Sequence, residues 1–96
     1  DNNRLQLDGR TSDVMNLALF TEKWRAFGWH VVEVDGHNLT HLIDAFEQAK
    51  LVKGKPVVII AHLNSVQGAR FMENNAAFHG KPPNPEEVKI ALKELE

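Results

Sequence analysis

The sequence contains no cysteine. That excludes a disulfide framework and a thiolate metal site, and it permits a reducing compartment. The expected location is the cytoplasm. Proline is scarce, and three of the four prolines fall within residues 82–85. They mark one turn and leave the rest of the chain free to form regular structure. Long apolar runs are missing too. The longest, Val57 to Ala61, has five residues, against the roughly 20 that a membrane helix needs. Neither charge dominates: the net charge is −2, which gives no electrostatic case for nucleic acid or an anionic membrane. The polar N-terminus has no signal-peptide pattern. No internal repeat, low-complexity segment or inter-domain linker is visible.

What is present is ordinary for a folded chain. Hydrophobic residues make up 43% and charged residues 25% of the 96 positions, values typical of a globular domain. A length of 96 residues allows one small core, so residues 1–96 are expected to form a single domain.

Leu5 and Leu7 alternate with Gln6 and lead into the turn dipeptide Asp8-Gly9. Leu17, Phe20, Trp24 and Phe27 recur with helical spacing, which predicts a helix over 17–27 with Asn16 as N-cap and Gly28 just past its end. "WHVVEV" (29–34) is β-branched and reads as a strand. A second helix is expected over 38–50, burying Leu39, Leu42, Ile43, Phe46 and Ala49. The run "VVIIAHL" (57–63) has the continuous apolar character of a strand covered on both faces. Residues 64–83 are long and irregular, as functional loops are. Asn84-Pro85-Glu86-Glu87 then starts a helix: a cap, a proline at the first position and acids in the first turn. Val88, Ala91, Leu92 and Leu95 would form its apolar face. Phe20, Trp24, Val32, Ile43, Phe46, Ile59 and Leu92 are the expected buried residues.

This order predicts an α/β fold, a partial three-layer α/β/α domain with a short parallel sheet. Ligands in such sheets bind beyond the carboxyl ends of the strands. Residues 35–38 and 62–70 lie there, joined by Asp1-Asn2-Asn3 if these end a third strand.

The stretches "DNNRLQLDG", "WRAFGWHVVEVDGHN", "GKPVVIIAH" and "FMENNAAFHGKPPN" resemble, in that order and spacing, the thiamine-diphosphate-binding region of bacterial-type transketolases. The resemblance implies a fragment of the thiamine-diphosphate-binding fold, the C-terminal third of a transketolase N-terminal half. It implies thiamine diphosphate and Mg²⁺ as cofactors. Asn3 and the Leu5 backbone carbonyl would be metal ligands, Leu7 an apolar position near the cofactor rings, and His79 a cofactor-binding and catalytic histidine near the diphosphate and substrate hydroxyls. The family's Gly-Asp-Gly motif has no counterpart here, since it would precede Asp1. Where the family carries Thr-x-Lys-Gly-Lys-Gly, this chain has Leu63, Ser65, Val66, Gln67 and Gly68, so both lysines and one glycine are replaced.

Read without the resemblance, the same residues have plainer roles. Asn3 can form a side-chain turn. Asp35-Gly36-His37 can be a tight strand-to-helix turn before an Asn38 cap. His30, His41 and His62 share no metal-ligand spacing. Trp24 and Trp29 read as core. Ser12 and Ser65 have no nucleophile motif, and no P-loop occurs.

Two functions follow. The first is part of a transketolase-like transferase that moves two-carbon ketol units between sugar phosphates, in the pentose phosphate pathway, inactive without the rest of a transketolase or a separate C-terminal subunit. The second is a stand-alone structural or protein-interaction module with neither catalysis nor cofactor. In both, uncovered strand edges and apolar faces predict a homo-oligomer such as a dimer.

Overall fold

A computed structural model describes all residues, Asp1–Glu96. They fall into two compact units: Asp1–Asn2 with Leu17–Leu63, and Asn3–Asn16 with Asn64–Glu96.

The first unit is built on a parallel pair of strands. β-Branched residues favour the extended backbone of His30–Asp35 and Val57–His62. They pair in register from His30↔Val57 to Asp35↔His62. In chain order these are β3 and β4, following the short strands β1 and β2 of the second unit, described below. The helix α3 (Leu39–Leu51) connects them, giving the expected α/β unit. On the other side of β4, Asn2 forms a parallel bridge to His62. Its N–H donates to the Ala61 carbonyl at 2.8 Å. The first residues therefore do run alongside the carboxyl end of the sheet.

The helix α3 starts where expected, with the Asn38 side chain accepting the His41 N–H. Its packing differs from the expected stripe. Ala45 is buried, and Leu42 and Ala49 beside it are half-buried. Leu39, Ile43 and Phe46 are exposed, Ile43 by 61% and Phe46 by 58%. At about 100° per residue these three form a second stripe roughly a third of a turn from Ala45. A two-stranded sheet covers one stripe of a helix, so the second has no cover in this unit.

The helix α2 is shorter than the periodicity suggested. It spans Phe20–Ala26, and Leu19 precedes it at φ 61°. A left-handed residue cannot continue a right-handed helix, so Asn16 is not its cap and Leu17 lies outside it. Gly28, at φ 85°, follows the end as expected. Phe20, Trp24 and Trp29 pack edge to face, with ring centroids 6.0 and 4.8 Å apart. Phe20, Trp24, Val32 and Ile59 are half-buried, while Ile60 is the strand residue that is buried. A unit this small has little interior to offer large side chains.

The turn after β3 is tight. The Asp35 side chain accepts the His37 N–H at 2.9 Å, and the Gly36 N–H donates to the His62 carbonyl. Gly36 allows a close approach and does not take positive φ: a Cβ there would lie 2.5 Å from Leu63 Cδ2, so the leucine side chain would have to shift to admit one.

The second unit begins with an antiparallel hairpin, β1 (Leu5–Gln6) and β2 (Gly9–Arg10), followed by one helical turn, α1 (Thr11–Val14). Residues 64–83 form successive turns and a 3₁₀ turn at Ala76–Phe78. Ala69 and Met72 are their buried centre. The final helix, α4 (Pro85–Leu95), has the predicted start in full: Asn84 accepts from Glu86 and Glu87 N–H, and Glu87 accepts the Asn84 N–H. Leu92 is 60% exposed, contrary to expectation. The helix is tied to the preceding loop at its other end, where the Arg70 N–H donates to Glu94 Oε2 at 2.8 Å.

Candidate functional site

In the second unit, Asn3 folds back on its own backbone. Its Oδ1 accepts the Leu5 N–H at 2.9 Å. This turn holds the side-chain oxygen against the Arg4–Leu5 peptide, one peptide before the one that carries the Leu5 carbonyl. The intervening Arg4 takes φ 64°, an uncommon conformation for a residue with a side chain. The Arg4 carbonyl accepts the Thr11 N–H at 2.9 Å and the Thr11 hydroxyl at 3.3 Å. Its guanidinium donates to Asn64 Oδ1 at 3.1 Å. The hairpin register sets Arg10 opposite Leu5.

These constraints enclose a cleft of about 230 Å³, lined by Asn3, Arg4, Leu5, Arg10, Thr11, Ser12 and Asn74. Asn3 and Leu5, the two residues singled out as metal ligands, share it. Leu7 does not line it; it sits at the hairpin tip, 66% exposed. His79 does not line it either. It is exposed and ends the 3₁₀ turn, its N–H donating to the Ala76 carbonyl at 3.0 Å. Arg4, Arg10, Thr11 and Asn74 were not singled out from sequence, and Ser12 was considered only as a nucleophile without a motif. The signal available for Arg10 was the Asp8-Gly9 turn, which requires a returning strand.

The oxygen donors of this cleft suit a hard cation in type but not in charge. Mg²⁺ takes six oxygens, usually with one or two carboxylates and phosphate oxygens among them. Asn3 and Leu5 supply neutral oxygens, and the chain has no group of three or more histidines and carboxylates placed to hold a metal ion.

In the loop 63–68 one residue stands where the transketolase pattern has glycine. Val66 adopts φ 53°, so a β-branched residue holds a left-handed conformation there.

In the first unit, a groove of about 510 Å³ runs along β3 and α3, with Glu33, Asp35, His41, Asp44, Gln48 and His62 on its polar side. His62 Nε2–H donates to Glu33 Oε1 at 3.0 Å. The Thr21 hydroxyl donates to the same carboxylate oxygen at 2.9 Å. The hydrogen bonds from His62 and Thr21 hold the Glu33 carboxyl below its usual range, and partial desolvation opposes them weakly.

The family described as "Transketolase, thiamine diphosphate binding domain" matches residues 1–95. Among curated relatives, a 6-deoxy-6-sulfo-D-fructose transketolase subunit from Clostridium sp. (strain MSTE9) is 43% identical over 96 residues, all of this chain and 35% of that protein. An apulose-4-phosphate transketolase subunit from Phocaeicola vulgatus is 35% identical over 95 residues, 99% of this chain and 34% of that protein. The chain thus spans about a third of the length of these relatives. Among solved structures, the transketolase of Campylobacter jejuni superposes with a TM-score of 0.88 at 29% identity, covering 99% of this chain and 15% of that one. The family match covers all but one residue and the fold agrees with it, so this chain belongs to the transketolase family, within its thiamine diphosphate binding domain.

Proposed function

We propose that this chain contributes the metal- and diphosphate-facing part of a thiamine diphosphate site in a transketolase-type enzyme that transfers two-carbon ketol units between sugar phosphates or related sugars. The observation that carries this reading is the cleft in which Asn3 and Leu5 meet, on a chain that matches the family along 1–95. Bound thiamine diphosphate would supply the carbon nucleophile that takes up and releases the ketol unit. The residues of this chain bind and orient. Asn3 Oδ1 and the Leu5 carbonyl would hold Mg²⁺ against the diphosphate. His79, exposed on its turn, would donate a hydrogen bond to a substrate hydroxyl or move its proton. Leu7 would present an apolar surface to the cofactor rings.

Two relatives are described as transketolase subunits, which supports a site completed by further protein: the rest of a transketolase or a separate subunit. Calorimetric titration with thiamine diphosphate and Mg²⁺, alone and with such a partner, tests the reading. Expected is cofactor binding that Asn3→Ala weakens. His79→Ala should weaken cofactor binding and lower ketol transfer in the assembled enzyme about tenfold or more, as loss of a strong hydrogen bond does. Binding indifferent to Asn3→Ala would overturn the assignment.

A module without cofactor or catalysis is the second reading. Val66 at φ 53° favours it, because a valine in the loop hinders the close backbone approach that glycine allows. Absence of cofactor binding, with or without partner protein, would select it.

A further inference from the structure

We propose that Arg4 and Arg10 form a cationic cradle for the cofactor diphosphate, in the cleft they share with Asn3 and Leu5. This rests on the cofactor reading above and extends it to two residues that the resemblance gives no role.

The cleft is lined by two arginines and no carboxylate, in a chain whose net charge is −2. Neither arginine is spent elsewhere. The ion pairs of the chain use Arg25, Lys50, His62 and Lys89. Arg4 is held by the neutral amide oxygen of Asn64 at 3.1 Å, which fixes the guanidinium without cancelling its charge. Arg10 is placed by the hairpin register opposite Leu5. Arg4 and Arg10 therefore come to one cleft from the two strands' outer ends, across a backbone tied by Thr11 to the Arg4 carbonyl.

The planar fork of a guanidinium matches phosphate oxygens bidentately. The side-chain amide of Asn74 adds a neutral donor in the same cleft. At about 230 Å³ the cleft is smaller than the roughly 300–1,000 Å³ of whole-ligand pockets. It suits a charged head group. Diphosphate is preferred to the phosphate or sulfonate of a sugar because Asn3 and Leu5, the candidate metal ligands, line the same cleft, and Mg²⁺ binds together with phosphates. The loop 63–68 (Leu63, Asn64, Ser65, Val66, Gln67, Gly68) has no cation of its own, so the positive charge in this unit's cleft comes from the two arginines.

The test uses the full 96-residue chain and four probes with Mg²⁺: inorganic pyrophosphate, thiamine diphosphate, thiamine and ribose 5-phosphate. Binding is read by calorimetry and by backbone amide shifts. Expected is saturable pyrophosphate binding that moves the amides of Arg4, Arg10, Thr11 and Asn74. Arg4→Gln and Arg10→Gln should each weaken it about tenfold, with Arg25→Gln as the unaffected control. Arg10→Lys, which keeps the charge and loses the fork, should weaken binding by less than Arg10→Gln, and it replaces Arg10→Gln as the test if that variant proves unstable. No saturable pyrophosphate binding, shifts elsewhere, or affinities unchanged in both Gln variants would overturn the proposal. So would ribose 5-phosphate binding more tightly than pyrophosphate through the same amides, which would make the cleft a substrate site. Thiamine diphosphate separates the two claims. If it binds equally well to both Gln variants, the cradle fails and the cofactor reading stands. If pyrophosphate responds to the arginines and thiamine diphosphate does not bind, the cradle stands as a diphosphate site and the cofactor reading fails.

Discussion

His62 Nε2 lies 3.0 Å from Glu33 Oε1, joining the last residue of β4 to the fourth residue of β3 through a histidine and a carboxylate. Its other ring nitrogen, Nδ1, accepts from Asn2 Nδ2 at 3.4 Å. Asn2, His62, Glu33 and Thr21 thus form one polar chain at the carboxyl end of the sheet. The Glu33 carboxyl titrates below its usual value because His62 and Thr21 donate to its charged form. A carboxyl whose folded value is depressed adds stability above its unfolded value of about 4.3. That stability is lost as the pH falls through the folded value. Both side chains are largely exposed, 50% and 42%, so the contribution is small, below about 1 kcal/mol. Glu33→Gln should therefore lower stability slightly at pH 6 and make no difference at pH 2–3. Urea unfolding across that range checks it. An equal loss at both ends would mean that the charge is irrelevant.

Val66 at φ 53° gives the second prediction. The left-handed region costs a residue with a Cβ about 1–2 kcal/mol, while glycine costs about 0.5–1 kcal/mol in unfolded-state freedom. The side chain is 41% exposed, so little packing is lost on its removal. Val66→Gly should raise stability by about 0.5–1 kcal/mol, which is a rise in Tm of roughly 3–6 °C for a chain of this size. A lower Tm in a thermal scan would show that the valine side chain packs more than it strains.

The cap of α4 gives the third. Asn84 accepts two backbone N–H groups, at 3.0 and 2.9 Å, and Glu87 closes the box at 2.8 Å. Asn84→Ala should cost about 1 kcal/mol and Asn84→Asp close to nothing. Equal losses in both variants, measured by denaturant unfolding, would mean that the amide and not the cap is needed.

These sites also show what the sequence can and cannot carry. The α4 start was legible because a cap acts over three or four residues, all of which are in "NPEE". The two strands were legible because Val57 to Ala61 and Val31 to Val34 favour β structure without help. The start of α2 was not, since Leu19 at φ 61° opposes its own preference, and only tertiary context sets that. The Arg4 and Val66 backbones fail the same test. Arg10 was missed for another reason: the Asp8-Gly9 turn signals a returning strand, but the register that sets Arg10 opposite Leu5, and with it the cleft, is not written in that turn. The apolar residues of α3 were correctly read as helical, but which stripe meets the sheet depends on how much sheet there is.

That last point yields the fourth prediction. Leu39, Ile43 and Phe46 lie on one stripe of α3, exposed by 76%, 61% and 58%. Had Phe46 been core, Phe46→Ala would cost about 3–5 kcal/mol. With most of the ring in water, the expected cost in this chain is below about 1.5 kcal/mol. The same exposure gives the stripe reason to associate. A contiguous apolar patch is rarely left open on a monomer, and two copies can cover it most simply about a two-fold axis. The outer side of β3 is also unpaired, since the sheet holds β3 and β4 alone. The chain is therefore expected to self-associate at micromolar concentration. The double variant Ile43→Glu/Phe46→Glu should return it to a 10.8 kDa monomer with unchanged helix content, because neither side chain supports the sheet. Sedimentation equilibrium decides: an unsubstituted chain already monomeric across the micromolar range sinks the idea, and persistent association of the double variant moves the contact to the open edge of β3.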